Sequence, residues 1–274
     1  MNIHLHGDHS DWHCGSATVI TYIKSIIAKE GHTLTPYRES ECVLINGEGT
    51  LHDNKCEKIY YGVKAKREGK QVHLINAVWH NMNHPATQQI KLFDSVYVRE
   101  VISYNEIKEI RSDTKICVDL SYFYPVKLPP RTYKEKIYGG SFPLVQSTGF
   151  WKSMVSLGSL CGNIKTVEIK DFNSWQAYIN NLASCKMLYT GYHHAVIAAC
   201  QMRIPFLAYR GSTDKVLGII KMAGANIPVA STYNEFMHNM ENPPPKSEYN
   251  KLFDFLESQK PFSLKDIGIK NDSI

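Results

Sequence analysis

The sequence alternates short apolar runs with amphipathic stretches of helical spacing, and this alternation limits the folds that the chain can adopt. The clearest run is CVLIN at residues 42–46, which is apolar up to its last position. Strands that are apolar on both faces are typical of parallel sheets covered by helices on each side. The pattern therefore predicts an α/β protein built on parallel sheets.

A proline-rich break divides the predicted elements into two groups. The predicted strands span residues 2–6, 42–46, 72–78, 95–99, 115–120, 136–139, 166–169, 187–190 and 206–209. The predicted helices span residues 16–30, 53–69, 86–93, 103–111, 149–157, 173–183, 194–202 and 213–222. The break contains YPVKLPPRTYKE and predicts a linker at 121–135. We therefore expect an N-terminal domain at 1–120, a C-terminal domain at 136–242 and a helical tail at 243–274.

Composition narrows the class of protein and its partners. The net charge of +5, without a run of five like charges, allows an anionic small molecule or membrane surface but does not indicate nucleic-acid binding. The seven cysteines are odd in number and lack a CxxC pair, which argues against disulfides and cysteine zinc sites. No signal peptide or spanning stretch is evident, so we expect a cytoplasmic protein whose membrane contact is confined to the inner face.

The segment HLHGDH at residues 4–9 matches the HxHxDH motif of metallo-β-lactamase-like hydrolases. Such a motif would place imidazoles and a carboxylate around zinc. In that fold several strands precede the motif, whereas only three residues precede it here, and the later histidines lie in no companion motif. We therefore expect a polar loop without a bound metal, and measured zinc would favour the alternative.

Polar motifs follow five of the predicted strands. They are HCGS at 13–16, GEGTLHD at 47–53, RE at 99–100 with Ser103, TGYHH at 190–194 and RGSTDK at 210–215. Glycines let backbone approach a ligand, and helix starts attract anions. Because the carboxyl ends of parallel strands share one edge, these motifs can converge on a cleft between two domains.

Each motif also has a plainer explanation. Gly15 and Ser16 can form an ordinary helix cap, and His194 can cap its own helix. Glu48 can be a solvated residue in a turn, since glycines flank it. Arg99 can pair with a neighbouring carboxylate at the surface. These alternatives stay open at the level of sequence.

The order and spacing of the motifs resemble the polysaccharide pyruvyltransferase family over about residues 1–225. The matching positions are 13–16, 47–53, Arg99 with Ser103, 190–194 with Ala198 and Ala199, Ile204-Pro205 and Lys215-Val216. The resemblance implies two Rossmann-like domains facing across a cleft, in a GT-B-like arrangement. It also implies transfer of a pyruvyl unit from phosphoenolpyruvate to a sugar of a cell-surface glycan, free or lipid-linked, without a cofactor. The N-terminal domain is then the acceptor side and the C-terminal domain the donor side.

Residue chemistry and the resemblance together suggest roles. Phosphoenolpyruvate carries a phosphate and a carboxylate, so its site needs cations and backbone amides. The candidate donor-binding residues are Gly15, Ser16, Arg99, Ser141, Tyr192, His193 and Lys215. The candidate acceptor-binding residues are Asp8, Trp12, His52 and Asp53. We expect His194 to act as the acid, since imidazole titrates near neutrality, and Glu48 to act as the base.

The chain departs from the family pattern at three positions. Glu48 replaces a glycine, Glu100 replaces an aspartate, and Tyr192 replaces the arginine expected two places before the motif histidine. That arginine is thought to help hold the anionic donor. Its replacement favours, as an alternative, a glycosyltransferase with a nucleotide-sugar donor on the same scaffold. A noncatalytic glycan-binding module is a third hypothesis.

Overall fold

The computed structural model describes residues 1–131, 136–140 and 164–270, and the chain divides into two compact units. The first unit comprises Met1–His9, Val19–Phe123 and Lys260–Ile274, and the second comprises Ser10–Thr18 and Tyr124–Gln259. The main passage from the first unit to the second therefore falls after Phe123, and the stretch from Lys260 onward belongs to the first unit.

The first unit is built on a parallel sheet. Its strands are β1 (Asn2–His6), β2 (Thr33–Leu34), β3 (Cys42–Asn46), β4 (Leu51–His52), β5 (Gln71–Ala77), β6 (Trp79–His80), β7 (Ser95–Val98) and β8 (Lys115–Ile116). Within residues 1–131, the main sheet has the order β2-β1-β3-β5-β7-β8, and β4 pairs with β6. The chain adds β2 on one side of β1 and β3 on the other. This reversal creates a switch point between β1 and β3, where α/β sheets bind ligands.

Helices α1 (Cys14–Lys29), α2 (Glu57–Arg67) and α3 (Val101–Ile107) follow β1, β4 and β7 along the chain. All five residues of β3 are buried. Helix α2 contributes Ile59 and Val63 to the same core cluster as Val43 and Leu74 from the sheet. Burial on both faces of β3 explains why its sequence is apolar without alternation.

The second unit repeats the topology. Its described strands are β9 (Lys136–Gly139), β10 (Ile164–Thr166), β11 (Cys185–Thr190), β12 (Phe206–Tyr209) and β13 (Val229–Ala230). They form a parallel sheet in the order β10-β9-β11-β12-β13. Its helices are α4 (Trp175–Asn181), α5 (His193–Gln201), α6 (Lys215–Met222), α7 (Tyr233–Glu241) and α8 (Lys246–Glu257). The switch point of this sheet lies between β9 and β11.

The predicted fold class, α/β with parallel sheets, is confirmed, and several predicted elements need correction. The predicted strand 115–120 ends at Ile116, because Asp119 bends the chain by accepting a hydrogen bond from the backbone N–H of Ser121. The predicted strand 166–169 lies at Ile164–Thr166. The stretch predicted as helix 86–93 forms a 3₁₀ helix over Pro85–Leu92.

The helix predicted at 53–69 begins only at Glu57. Asp53 and Asn54 adopt positive φ angles of 52° and 61°, which a right-handed helix excludes. The helix predicted at 149–157 lies outside the described residues. None of the helices in the described part of the chain has the length and apolar character needed to cross a membrane.

Candidate functional site

A buried polar cluster lies at the switch point of the first unit. We call Gly7, His9, Asn46, Glu48 and Lys58 the Lys58 cluster. The Lys58 ammonium donates to the backbone carbonyl of Asn46 and lies 3.0 Å from Nε2 of His9. Lys58 is only 6% exposed and Glu48 only 2%. A buried lysine between two strand ends is costly unless it is paired, so this cluster is a candidate for function.

Backbone geometry holds the cluster together. Gly7 has a φ of 84°, and a Cβ atom there would lie 2.8 Å from the Lys58 Nζ. The Asn46 side-chain amide donates to the Gly7 carbonyl at 3.2 Å, and its Oδ1 accepts from the Glu48 N–H at 3.3 Å. Glu48 is therefore a buried residue within this cluster, and the plainer alternative of a solvated turn residue is wrong.

The polar network continues along the sheet edge to Arg99. Asn76 donates to the Asn46 side chain at 3.3 Å and accepts from the Leu120 N–H at 3.3 Å. Arg99 is 1% exposed and forms an ion pair of 2.5 Å with Asp119, which is fully buried. The alternative that Arg99 pairs with a carboxylate at the surface is therefore wrong, because the pair is buried. The donor-binding role of Arg99 stays a prediction, and it would require this buried pair to open.

Glu100 has a structural role of its own. Its carboxylate accepts from the backbone N–H groups of Ile102 and Ser103 at 2.6 and 2.9 Å and so caps α3. The Ser103 hydroxyl also donates to Glu100 and accepts from the Trp79 N–H at 2.8 Å. Glu100 therefore fills the N-cap role that an aspartate commonly takes.

The predicted acceptor-binding residues are divided between the units. Asp8 forms an exposed ion pair of 3.0 Å with Lys24 in the first unit. His52 and Asp53 form a second pair there, at 2.8 Å between Nδ1 and Oδ2, and the hydrogen bond from His52 lowers the pKa of Asp53. Trp12, which is 45% exposed, belongs to the second unit.

The histidines of the HxHxDH segment each have a protein partner. His6 stacks on Tyr61, with ring centroids 3.6 Å apart, and His4 meets the edge of the Tyr37 ring. His9 contacts Lys58, as described above. Within the described residues, no group of three histidine, cysteine, aspartate or glutamate side chains is arranged to hold a metal ion.

A second cluster lies at the switch point of the second unit. We call His13, Tyr192, His193 and His194, together with Gly15, the histidine cluster. The His13 ring lies 5.1 Å from the His194 ring and 5.9 Å from the Tyr192 ring, measured between centroids. His194 is 4% exposed and lies 5.6 Å from the His193 ring. The structure therefore brings five residues from the two motifs 13–16 and 190–194 together.

Two helix N-termini contribute to the histidine cluster. The His13 Nδ1 atom accepts from the backbone N–H groups of Gly15 and Ser16 at 3.2 and 3.3 Å, at the start of α1. Helix α5 has Tyr192 at its N-cap position, and no side chain caps it there. The alternative that His194 caps α5 is therefore wrong. The first-turn N–H groups of α5 suit an anion, because their partial positive charges add to the helix dipole.

Three cationic side chains of this unit differ in exposure and pairing. The Lys170 ammonium is exposed and lies 5.9 Å from the centroid of the Tyr192 ring. The Arg210 guanidinium is paired with Asp214 at 2.8 Å, ahead of α6. Lys215 is half-buried in the first turn of α6. Ser141, the remaining predicted donor-binding residue, lies outside the described residues.

Sequence reasoning missed Lys58 as a member of its cluster and Lys170 as a neighbour of Tyr192, and it gave His9 and His13 no role of their own within the motifs 4–9 and 13–16. Lys58 lies next to Ile59, on a stretch that reads as an ordinary amphipathic helix. A lysine four residues before Gly62, on the apolar side of that helix, is the one signal that could have identified it. Lys170 gives no comparable signal, because only the fold places it beside Tyr192.

Substituting Gly15 with alanine should destabilise the second unit. An added Cβ would lie 2.6 Å from Cβ and 2.7 Å from Cγ of His194. An ordinary helical Gly→Ala change stabilises by about 0.5–1 kcal/mol, whereas overpacking costs about 1–3 kcal/mol. We expect Gly15→Ala to lower the free energy of unfolding, measured in urea. An increase would show that the close approach of α1 to α5 does not constrain this position.

Over most of its length the chain matches a known protein family. The family model described as polysaccharide pyruvyl transferase matches residues 8–213. That range contains the histidine cluster and all of the Lys58 cluster except Gly7. A comparison with curated proteins finds no match.

Solved structures show a shared fold. The chain is similar to a protein of uncharacterized function from Klebsiella pneumoniae, with 15% identity, a TM-score of 0.56 and coverage of 84% of this chain and 92% of that one. It is similar to a putative UDP-N-acetylglucosamine 2-epimerase from Listeria monocytogenes, with 11% identity, a TM-score of 0.56 and coverage of 92% and 90%. It is also similar to the lipopolysaccharide outer core galactosyltransferase WaaB, with 10% identity, a TM-score of 0.54 and coverage of 98% of both chains. At such identities the likeness concerns the fold alone.

Proposed function

Because the chain belongs to the polysaccharide pyruvyl transferase family, we propose that it transfers a pyruvyl unit from phosphoenolpyruvate to a saccharide of a cell-surface glycan. The observation that carries this proposal is the match of the family model to residues 8–213, which includes the histidine cluster. The acceptor is a saccharide, free or lipid-linked, and the protein works in the cytoplasm at the inner face of the membrane.

The histidine cluster is the proposed donor site. Phosphoenolpyruvate is a small polyanion, and the N-termini of α1 and α5 both meet in this cluster. In this proposal Gly15, Ser16, Tyr192, His193 and Lys215 contact the donor, and the donor-binding role of Ser141 stays a prediction from the sequence. Lys170 supplies the cation that the family arginine would provide, since its ammonium lies beside Tyr192.

The Lys58 cluster is the proposed place of hydroxyl activation. Glu48 is the base predicted from sequence, and Asp8, Trp12, His52 and Asp53 are the proposed contacts to the acceptor sugar. Ketal formation joins two sugar hydroxyls to C2 of the donor and breaks the bond from C2 to the phosphate oxygen. His194 delivers a proton to the methylene carbon, and the two hydroxyls together release two protons. One of them makes up for the proton that His194 has lost, and the other leaves with phosphate.

Acceptor-dependent phosphate release tests the proposal. The purified protein is incubated with phosphoenolpyruvate and a panel of saccharides and lipid-linked saccharides, and inorganic phosphate is measured against a no-acceptor control. We expect release only with an acceptor that bears two neighbouring hydroxyls. Absence of release across the panel would contradict the proposed function.

The replacement of the family arginine by Tyr192 favours one other candidate function, a glycosyltransferase with a nucleotide-sugar donor. A thermal-shift panel separates the two, because a ligand at about 100 times its dissociation constant stabilises the folded state by about 2.7 kcal/mol. We expect a shift with phosphoenolpyruvate. A shift with nucleotides or nucleotide sugars alone would favour the glycosyltransferase.

A further inference from the structure

Lys58 has no role in the reaction outlined above, although it lies at the centre of the polar cluster of the first unit. Its ammonium contacts the Asn46 carbonyl and the His9 imidazole. Lys58 itself is buried, whereas His9 is only half-buried, in the loop that follows β1. His9 is therefore the member of this pair that a ligand at the switch point can reach.

We propose that His9 and Lys58 form a proton relay that takes the proton from the acceptor hydroxyl. The inference rests on the proposed function, because it names the groups that receive that proton. Glu48 is less suited to this task. It is almost fully buried and tied to Asn46, and a carboxylate is a far weaker base than a neutral amine.

The two proton transfers of the relay take place in one concerted step. The hydroxyl O–H bond breaks and its proton joins Nδ1 of His9, while the proton on Nε2 of His9 passes to the lone pair of neutral Lys58. His194 protonates the methylene carbon with the electron pair of the C=C bond, and the freed electron pair of the oxygen forms the bond to C2. Phosphate departs in the following step, with the electrons of its bond to C2, as the second hydroxyl joins that carbon. Lys58 ends the concerted step as an ammonium that donates to Nε2, as the structure shows it.

The surroundings of Lys58 suit this exchange at neutral pH. Burial lowers the pKa of Lys58 from its ordinary 10.5 to about 7, Glu48 raises it, and Arg99 lowers it. His6 and His9 face the lysine from the end of β1, and burial, followed by the charge of Lys58, lowers the pKa of His6 to about 4. A base works best when its pKa lies near the working pH.

Lysine titration tests the relay without turnover. In protein labelled with carbon-13 at lysine Cε, we expect one signal to titrate near pH 7, to vanish in Lys58→Arg and to shift in His9→Ala. The remaining lysine signals give the reference, because the pKa of an unperturbed lysine side chain is about 10.4. A wild-type spectrum in which every lysine titrates above about 9 would overturn the relay.

The pH dependence of phosphate release supplies the second test. The wild-type rate should rise with pH as Lys58 loses its proton and level off above about 7, because the neutral amine is the active form. Lys58→Arg retains charge but cannot release its proton, so the rate should fall by about 100-fold or more and lose this rise. Lys64→Arg should leave both unchanged, and Glu48→Gln should keep the rise.

The outcomes are distinguishable. A Lys58→Arg variant that keeps the wild-type rate and pH profile would overturn the relay while leaving the proposed function standing. A wild-type protein that releases no phosphate with any acceptor would contradict the proposed function, and the lysine titration would still decide the protonation chemistry of the pair.

Discussion

Replacing His194 with alanine should reduce acceptor-dependent phosphate release by about 100- to 10,000-fold, the usual contribution of a positioned acid or base. In the proposed reaction His194 delivers the proton to the methylene carbon. Within the histidine cluster, His193 is the other imidazole in the same turn of α5. Steady-state kinetics over pH 5–9 should show the loss in kcat rather than in KM alone.

The matched control is His238→Ala, which removes an exposed imidazole from α7 in the same unit. It should leave the rate unchanged. Because His194 is 4% exposed, the folding of each variant is checked by thermal unfolding, and His194→Asn serves as the smaller change. A folded His194→Ala protein within about threefold of the wild-type rate would remove His194 from the chemistry.

Replacing Asp119 with alanine should destabilise the first unit by about 3–5 kcal/mol, because it leaves the Arg99 guanidinium buried without its carboxylate. The same change removes the acceptor of the Ser121 N–H and hydroxyl, which are 2.9 and 2.5 Å from Oδ1. Hydrogen exchange of the β5 and β7 amides in low concentrations of urea measures the loss within this unit.

Asp254→Ala provides the comparison, since it breaks an exposed ion pair with Arg203 in the second unit. Exposed pairs contribute at most about 1 kcal/mol. If Asp119→Ala cost no more than Asp254→Ala, the buried pair would contribute little to the fold. Arg99 would then be free to open toward an anion, as its predicted donor role requires.

The parallel α/β architecture was readable from the sequence because burial on both faces leaves a simple pattern. The strand CVLIN is predicted and observed at the same residues, and β9 and β12 also match their predicted bounds. Errors fall where a side chain overrides the local pattern. Asp119 turns the chain after β8, and the positive φ angles of Asp53 and Asn54 delay α2.

The candidate sites were predictable only in part. The strand-end motifs indicate which residues can meet, and the structure brings Gly15 together with His194. They do not indicate which side chains turn inward. Burial of Glu48 and Arg99 depends on Asn46 and Asp119, and Lys58 reaches the same edge from a helix. Such partners are set by tertiary packing, which short-range spacing does not encode.

In the proposed reaction the donor passes its pyruvyl carbons to a saccharide. Phosphoenolpyruvate labelled with carbon-13 at C2 is incubated with the protein and the acceptor that supports phosphate release, and the saccharide is isolated for carbon NMR. We predict a labelled carbon bonded to sugar oxygens, formed in equal amount to the phosphate released. Labelled carbon confined to phosphoenolpyruvate or free pyruvate, with an unlabelled saccharide, would contradict the account.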